Sequence, residues 1–325
     1  MPEKNPTVSV IIPTYNRAHL IGRAIKSVLN QTYHDFELIV VDDGSKDNTE
    51  EVVKRFKDER IRYTRHDKNK GGGAARNTGI KIARGKFIAF LDSDDQWLPQ
   101  KLEKQIVMFE KKSEKIGVIY TGLFFVNNVY KKICLWIPQK EGNISKDIIF
   151  KNYVGSLSTV IIRRECFEKC GLFDESLPAC QDWDIYIRLA KRCHFTFIKE
   201  PLVWYCTDNN RITTDLKARV EGHKKILGKY FQDIKKSRKV YSKYLFTIGN
   251  FFCHLGQMRK GRLEFLRAIW TYPLELKFYL YFCISFFNPK IYQKLAIYKK
   301  KSLNKIKINK NNINDFKFES ELIMK

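Results

Sequence analysis

Two apolar runs in this chain end in carboxylates. "FELIVV" runs into Asp42 and Asp43 of "DDGSKDNTE", and "KFIAFL" runs into Asp92, Asp94 and Asp95 of "DSDDQW". Like charges crowded at the end of a buried strand cost free energy unless something compensates them. The whole chain carries a formal net charge of +25. Acidic clusters against that background call for a cation or for hydrogen-bond donors as partners.

The elements that must hold these clusters read as strand and helix in alternation. "TVSVII" (7–12) is a short strand rich in β-branched residues, and "PTYNR" ends it. In "AHLIGRAIKSVLNQT", Leu20, Ile21, Ala24, Ile25, Val28 and Leu29 fall on one helical face. A second strand ends in "DDGS", and "NTEEVVKRFKDE" follows as a helix with Asn48 or Thr49 as its cap. "IRYTRHDKN" is a third strand, "GGGAARNTGIKIA" a glycine loop entering a helix, and "KFIAFLD" a fourth strand. Such alternation with short loops predicts an α/β fold, a mostly parallel sheet flanked by helices. In these sheets ligands bind beyond the carboxyl ends of the strands. Pro13 to Asn16, Asp42 to Ser45, Gly71 to Asn77 and Asp92 to Asp95 all lie there. The glycine loop lacks the G-x-G-x-x-G spacing and follows the third strand, so it is not a dinucleotide fingerprint.

Composition limits the alternatives. With 325 residues, 44% of them hydrophobic, the chain can build a sizeable core. No cleavable leader is legible at the start, and the longest apolar run, "FYLYFCISFF", is too short to span a bilayer. The eight scattered cysteines are expected to be reduced thiols in a cytoplasmic protein. Cys166 and Cys170 have no second pair to complete a zinc site. From residue 211 onward, 26 Lys and Arg face 8 Asp and Glu, against 34 and 27 before it. The basicity is thus mainly that of the C-terminal third, which reads as helices with basic faces and a Lys/Asn-rich end.

"VSVIIPTYNR", "LIVVDDGSKDNT", "GGGAARNTGI", "FIAFLDSDDQWLP" and "QDWDIYIRLA", in that order, resemble family 2 glycosyltransferases with the GT-A fold, over roughly residues 6–213. The resemblance implies a GT-A, Rossmann-like catalytic domain over 1–213; the residues beyond it read from composition as a basic helical region over 214–302 and a flexible tail over 303–325. It implies an inverting, metal-dependent transfer of a hexose or N-acetylhexosamine from a UDP-sugar to a saccharide or lipid-linked acceptor, as in bacterial cell-surface polysaccharide assembly. The base and ribose of the donor would lie near Pro13, Thr14, Tyr15, Asp42 and Asp43. A carboxylate there can accept from the ring N–H of uracil; the competing reading is an Asx turn, with Asp43 or Ser45 capping the next helix. Arg76 would line the donor site, or else pair with an acidic strand end.

In "DSDD" one aspartate would face the ribose and another hold the metal: Asp94 or Asp95 is assigned to the ion, with Asp92 in support. Oxygen-only ligands favour Mg2+ or Mn2+. The alternative for Asp95 is a helix N-cap. In "QDWD" the family often has an acidic pair whose second member is the general base. Here the first position is Gln181, which leaves Asp182 as the base and Asp184 as its rival. A helix-dipole role suits both, and Trp183 either borders the acceptor or packs in the core. Many members also carry a histidine after the last sheet strand. Here "WYCTDNNRIT" has Asp208 near that place, so Asp208 substitutes or the contact is absent. His66 is not a replacement for it.

For the basic, aromatic C-terminal region, an anionic membrane surface is the expected contact, placing the protein on the inner face of the plasma membrane. A solvated basic helical subdomain is the plainer alternative. A basic nucleic-acid- or membrane-binding protein without transferase activity competes at the level of function, although no specific nucleic-acid motif is present. A nucleotidylyltransferase would need a lysine-bearing glycine loop directly after the first strand, and "PTYNR" is not one.

Overall fold

A computed structural model describes residues 5–126, 132–207 and 215–295. Its parallel core consists of β1 (Val8–Thr14), β2 (Phe36–Asp42), β3 (Ile61–Arg65) and β4 (Phe87–Phe90) in the order β3-β2-β1-β4. Every residue of β1, β2 and β4 is buried. Burial on both faces explains why these strands read as continuous Val/Ile/Leu/Phe runs rather than as alternation. Between them, α1 (Ala18–Leu29) buries Leu20, Ile21, Ala24, Ile25 and Val28, as the spacing predicts. Helix α3 (Gly72–Ile82) lies close against β1: a Cβ on Gly79 would stand 2.5 Å from Ile11 Cγ2.

Helix α2 (Thr49–Lys54) is shorter than its sequence suggests. The chain leaves it into a turn in which Asp58 accepts from the N–H and guanidinium of Arg60.

Beyond β4 the sheet turns mixed. β8 (Ile161–Arg163) pairs antiparallel with β4, and β6 (Ile116–Val126) antiparallel with β8 and parallel with β9 (His194–Cys206). β5 (Gln96–Trp97) closes the far edge on β9, and β7 (Lys132–Trp136) pairs with β6. α4 (Lys101–Lys111), α5 (Ser145–Ile148), α6 (Arg164–Cys170) and α7 (Gln181–Ala190) complete this part. The result is the mostly parallel, helix-flanked α/β sheet expected of a GT-A fold.

The described residues cluster into two compact units: one within Met1–Ser176 and Gln181–Asp208, the other within Leu177–Cys180 and Asn209–Lys325. The second is helical, with α8 (Leu216–Lys229), α9 (Phe231–Ile234), α10 (Arg238–His254), α11 (Met258–Thr271) and α12 (Leu276–Ile284). Asp215 caps α8 by accepting from the N–H of Lys217 and Ala218. Its core gathers Leu245, Phe246, Phe265, Ala268, Phe278 and Tyr292. Gly249 and Gly261 let α10 and α11 approach, since a Cβ on Gly261 would sit 2.2 Å from Cys253 Sγ. Among the described residues no helix is long and apolar enough to cross a membrane. The tail expected over 303–325 lies outside the described residues.

Candidate active site

Strand register brings the acidic clusters to one rim. Thr14 lies opposite Asp42 across β1–β2, Ile11 opposite Phe90 across β1–β4, and the Asp43 N–H donates to the Thr14 carbonyl at 2.8 Å. Pro13 and Thr14 are buried, whereas Tyr15 is exposed. Asn16, in the left-handed region at φ 51°, stitches the first two turns together. Its N–H donates to Ser45 Oγ at 2.8 Å, and its Oδ1 accepts from the Lys46 N–H at 2.7 Å.

Gly44 is a steric requirement of the second turn. Its φ is +79°, and a Cβ would meet the Lys68 carbonyl carbon at 2.8 Å. We expect Gly44→Ala to lower unfolding stability by roughly 1–3 kcal/mol, read from urea melts, because both strain and a backbone collision oppose it.

The two carboxylates of "DDGS" have different partners. Asp42 is fully buried; its Oδ1 accepts from the Ser45 N–H and its Oδ2 from the Tyr63 hydroxyl, each at 2.7 Å. Burial and then the Asp42 hydrogen bond push the Tyr63 hydroxyl well above its ordinary value. Asp43 anchors the glycine loop: Oδ1 accepts from the Lys70 N–H at 2.8 Å and faces His66 Nδ1 at 2.8 Å, while Oδ2 accepts from the Gly71 N–H at 2.7 Å. His66 continues to Thr78 Oγ1 at 2.9 Å. The Asx turn is therefore built by Asp42. Neither Asp43 nor Ser45 caps α2, whose first residue, Thr49, donates its N–H to Asp47 at 3.1 Å.

In "DSDD" a tight turn forms, with the Asp95 N–H donating to the Asp92 carbonyl at 2.9 Å. Asp95 is fully buried and accepts from Ser158 Oγ at 2.7 Å and from the Cys206 N–H at 3.1 Å. It does not cap a helix, because α4 begins only at Lys101. Asp94, between them, is half-buried. Asp92 Oδ1 lies 2.7 Å from Arg76 Nη2, and Arg76 Nη1 donates to Gln181 Oε1 at 3.2 Å. Arg76 thus links the end of the fourth strand to the start of α7, in the ion pair that was one of its two readings.

Asp182, in the first turn of α7, belongs to the same cluster. Its Oδ2 accepts from Asn152 Nδ2 at 3.1 Å. Part of its surface is open, yet protein surrounds the carboxyl closely. That burial raises its pKa to about 6, against the pull of the Trp183 N–H and Arg76, with Asp92 adding to the rise. Asp184 is fully buried and paired with Arg188 at 2.8 Å, a guanidinium that also donates to the Cys170, Gly171 and Leu172 carbonyls. That arrangement is structural. Trp183 is buried and donates to the Ile148 carbonyl at 2.6 Å, which is the core-packing reading.

Sequence reasoning missed Tyr63, Asn152 and Ser158. Asn152 alone had a signal, the Asx-turn spacing of "NYVG", in which its Oδ1 accepts from the Val154 and Gly155 N–H groups. Asp208 lies outside the described residues.

Among the described residues no group of three His, Cys, Asp or Glu side chains could cage a metal. The donor set at the Asp92–Asp95 turn suits instead an ion that takes one or two protein carboxylates and completes its shell from phosphates and water, the habit of Mg2+ and Mn2+. Of the two candidates, Asp95 is fully buried and engaged by Ser158 and the Cys206 N–H, and Asp94 is half-buried.

Known proteins resemble this chain in sequence and in fold. The family described as Glycosyl transferase family 2 matches residues 9–171. An uncharacterized glycosyltransferase of Rickettsia typhi is 32% identical over 270 residues, covering 80% of this chain and 84% of that one. The Escherichia coli UDP-Glc:alpha-D-GlcNAc-diphosphoundecaprenol beta-1,3-glucosyltransferase WfgD is 44% identical over 157 residues, covering 48% of this chain and 60% of its own length. Staphylococcus aureus TarS (1–349), solved with UDP-GlcNAc, superposes with a TM-score of 0.63 at 18% identity, covering 82% of this chain and 81% of its own. The mannosyltransferase PcManGT of Pyrobaculum calidifontis, solved with GDP-Man and Mn2+, gives 0.54 at 16%, covering 82% and 76%. At such identities the two solved structures speak for the fold. The family match and the Rickettsia relative speak for descent: this chain belongs to glycosyltransferase family 2.

Proposed function

We propose that the protein transfers a hexose or N-acetylhexosamine from a UDP-sugar to a saccharide or lipid-linked acceptor, with inversion, in the assembly of cell-surface polysaccharide on the cytoplasmic side of the membrane. The observation that carries this reading is the cluster Arg76–Asp92–Gln181–Asp182. It sets a carboxylate with a pKa of about 6 beside the turn that holds Asp94. Asp182 accepts the proton of the acceptor hydroxyl. The acceptor oxygen forms its bond to the anomeric carbon on one face while the bond to the diphosphate breaks on the other, and UDP leaves with the electron pair. A Mg2+ or Mn2+ ion held by Asp94, with Asp92 in support, would supply charge stabilisation to the departing diphosphate.

Arg76 and Asp92 line the donor site beside the diphosphate and ribose. The segment Pro13–Thr14–Tyr15 and the carboxylates of Asp42 and Asp43 border the nucleoside. The lipid-linked acceptor is favoured by the substrate that WfgD's name carries. No specific nucleic acid enters this reading, and family membership supports transfer over the competing reading of a basic binding protein without transferase activity.

The test is a thermal-unfolding screen of UDP-, GDP- and dTDP-sugars with and without Mn2+. Saturating UDP-sugar with Mn2+ is expected to raise the midpoint by about 2 °C or more, since a ligand at a hundred times its Kd stabilises by about 2.7 kcal/mol. A shift with GDP-sugars alone would reassign the donor. No shift with any of them would remove the donor-site assignment.

A further inference from the structure

Helix α11 has two apolar faces. Gly261, Phe265 and Ala268 are buried in the core of the helical unit. At 3.6 residues per turn, the exposed Leu263, Leu266 and Trp270 form a second stripe about 180° away from the first. Trp270 is 87% exposed, and the turn into α12 adds Leu274 at 79% and Leu276 at 80%. Scattered surface leucines need no explanation, but a continuous apolar stripe ending in an almost fully exposed tryptophan does.

The rim of the stripe carries an excess of cations. Arg262 flanks it on one side and Arg259 extends it one turn toward the helix start, while Arg267 on the other side is paired with Glu264 at 3.0 Å and Glu275 stands between Leu274 and Leu276. Arg262 is held in place by its bond to the Ser285 carbonyl at 2.9 Å and by the Phe286 ring, 4.9 Å from its guanidinium carbon. Apolar residues with a terminal tryptophan and arginines at the edges match the boundary between headgroups and acyl chains: the rings and leucines enter the boundary and the guanidinium groups meet phosphates. A second copy of a chain with net charge +25 would bring the same cations against themselves, so charge complementarity selects an anionic surface over self-association.

We infer that the face of α11 and the α11–α12 turn, from Leu263 through Trp270 to Leu276, docks on an anionic lipid bilayer. This deepens the lipid-linked acceptor reading and rests on it, because such an acceptor resides in that bilayer. None of these residues is among the proposed catalytic groups.

The experiment is co-sedimentation of the full chain with phosphatidylglycerol/phosphatidylcholine vesicles free of any acceptor, beside phosphatidylcholine vesicles alone. Wild type is expected to bind the anionic vesicles at least tenfold more strongly, and to lose most of that advantage in 1 M NaCl. The triple variant Trp270→Ser, Leu274→Ser, Leu276→Ser is expected to bind them at least tenfold less while keeping its melting midpoint and its turnover of a soluble saccharide acceptor. Arg259→Glu with Arg267→Glu should lose the anionic preference specifically. Equal vesicle binding by the triple variant and wild type would overturn the inference. So would a wild-type dimer in sedimentation velocity that the triple variant abolishes, with no vesicle binding by either. Normal turnover of a soluble acceptor with no vesicle binding would overturn docking and leave the transferase reading intact.

Discussion

Asp182→Asn is expected to cut kcat by about 10²–10⁴ while leaving UDP-sugar binding within about twofold, because an amide keeps the shape of the side chain but accepts no proton. The amide oxygen can still take the Asn152 N–H that Asp182 Oδ2 takes at 3.1 Å, so the start of α7 should stay in place. The pH profile supplies an independent signature. A carboxyl raised to about 6 by burial is protonated, and useless as a base, below that pH. Wild-type kcat/KM should therefore fall tenfold per unit on the acid side of about 6, and the residual activity of the variant should lack that limb. Asp184→Asn is the control. It leaves the Arg188 guanidinium with only carbonyl partners in a buried site, so it should lower the melting midpoint and largely spare kcat. Full turnover by Asp182→Asn would move the base elsewhere.

The second large effect concerns the metal. Chelation with EDTA is expected to reduce transfer by about 10²–10³, a loss that added Mn2+ or Mg2+ restores, since the diphosphate would otherwise depart with its charge unmet. Asp94→Ala should reproduce the loss and require much higher Mn2+ for any recovery. Asp95→Ala should behave differently. Its carboxylate accepts from Ser158 and the Cys206 N–H inside the protein, so the measured consequence should be lost stability before lost metal affinity. Full activity in chelator would remove the metal role from this turn, whichever aspartate were named.

The fold was legible in sequence wherever one short-range pattern decided it. The runs "TVSVII" and "FELIVV" read as buried parallel strands because both of their faces are covered, although β1 continues through Pro13 to Thr14 where the sequence reading ended it, and α1 read as a helix because its apolar residues repeat every three or four positions. The second half of the sheet was legible only in part. "IGVIYTGLFFV" and "STVIIRR" read as strands and contain β6 and β8, but the order of the strands and the two-residue β5 depend on partners far along the chain. Within the site, the aspartates were visible because their types and clustering are unusual. Their division of labour was not. Which of Asp94 and Asp95 is fully buried, and whether Asp182 or Asp184 pairs with Arg188, depends on Ser158, Cys206 and Arg188, and only the folded chain brings the first two of these to the "DSDD" turn. Asn152 and Tyr63 escaped for the same reason: a lone polar residue in a loop or strand has no pattern until its partner is known.

Asp43 grips the segment ahead of α3 through the main-chain N–H groups of Lys70 and Gly71, which every residue except proline possesses. The path of that segment is therefore insured against changes in its own side chains at Lys68, Asn69 and Lys70. Changes at those three positions can present new side chains next to the Arg76 helix while Asp43, together with the left-handed Gly44 and Gly71, holds the backbone.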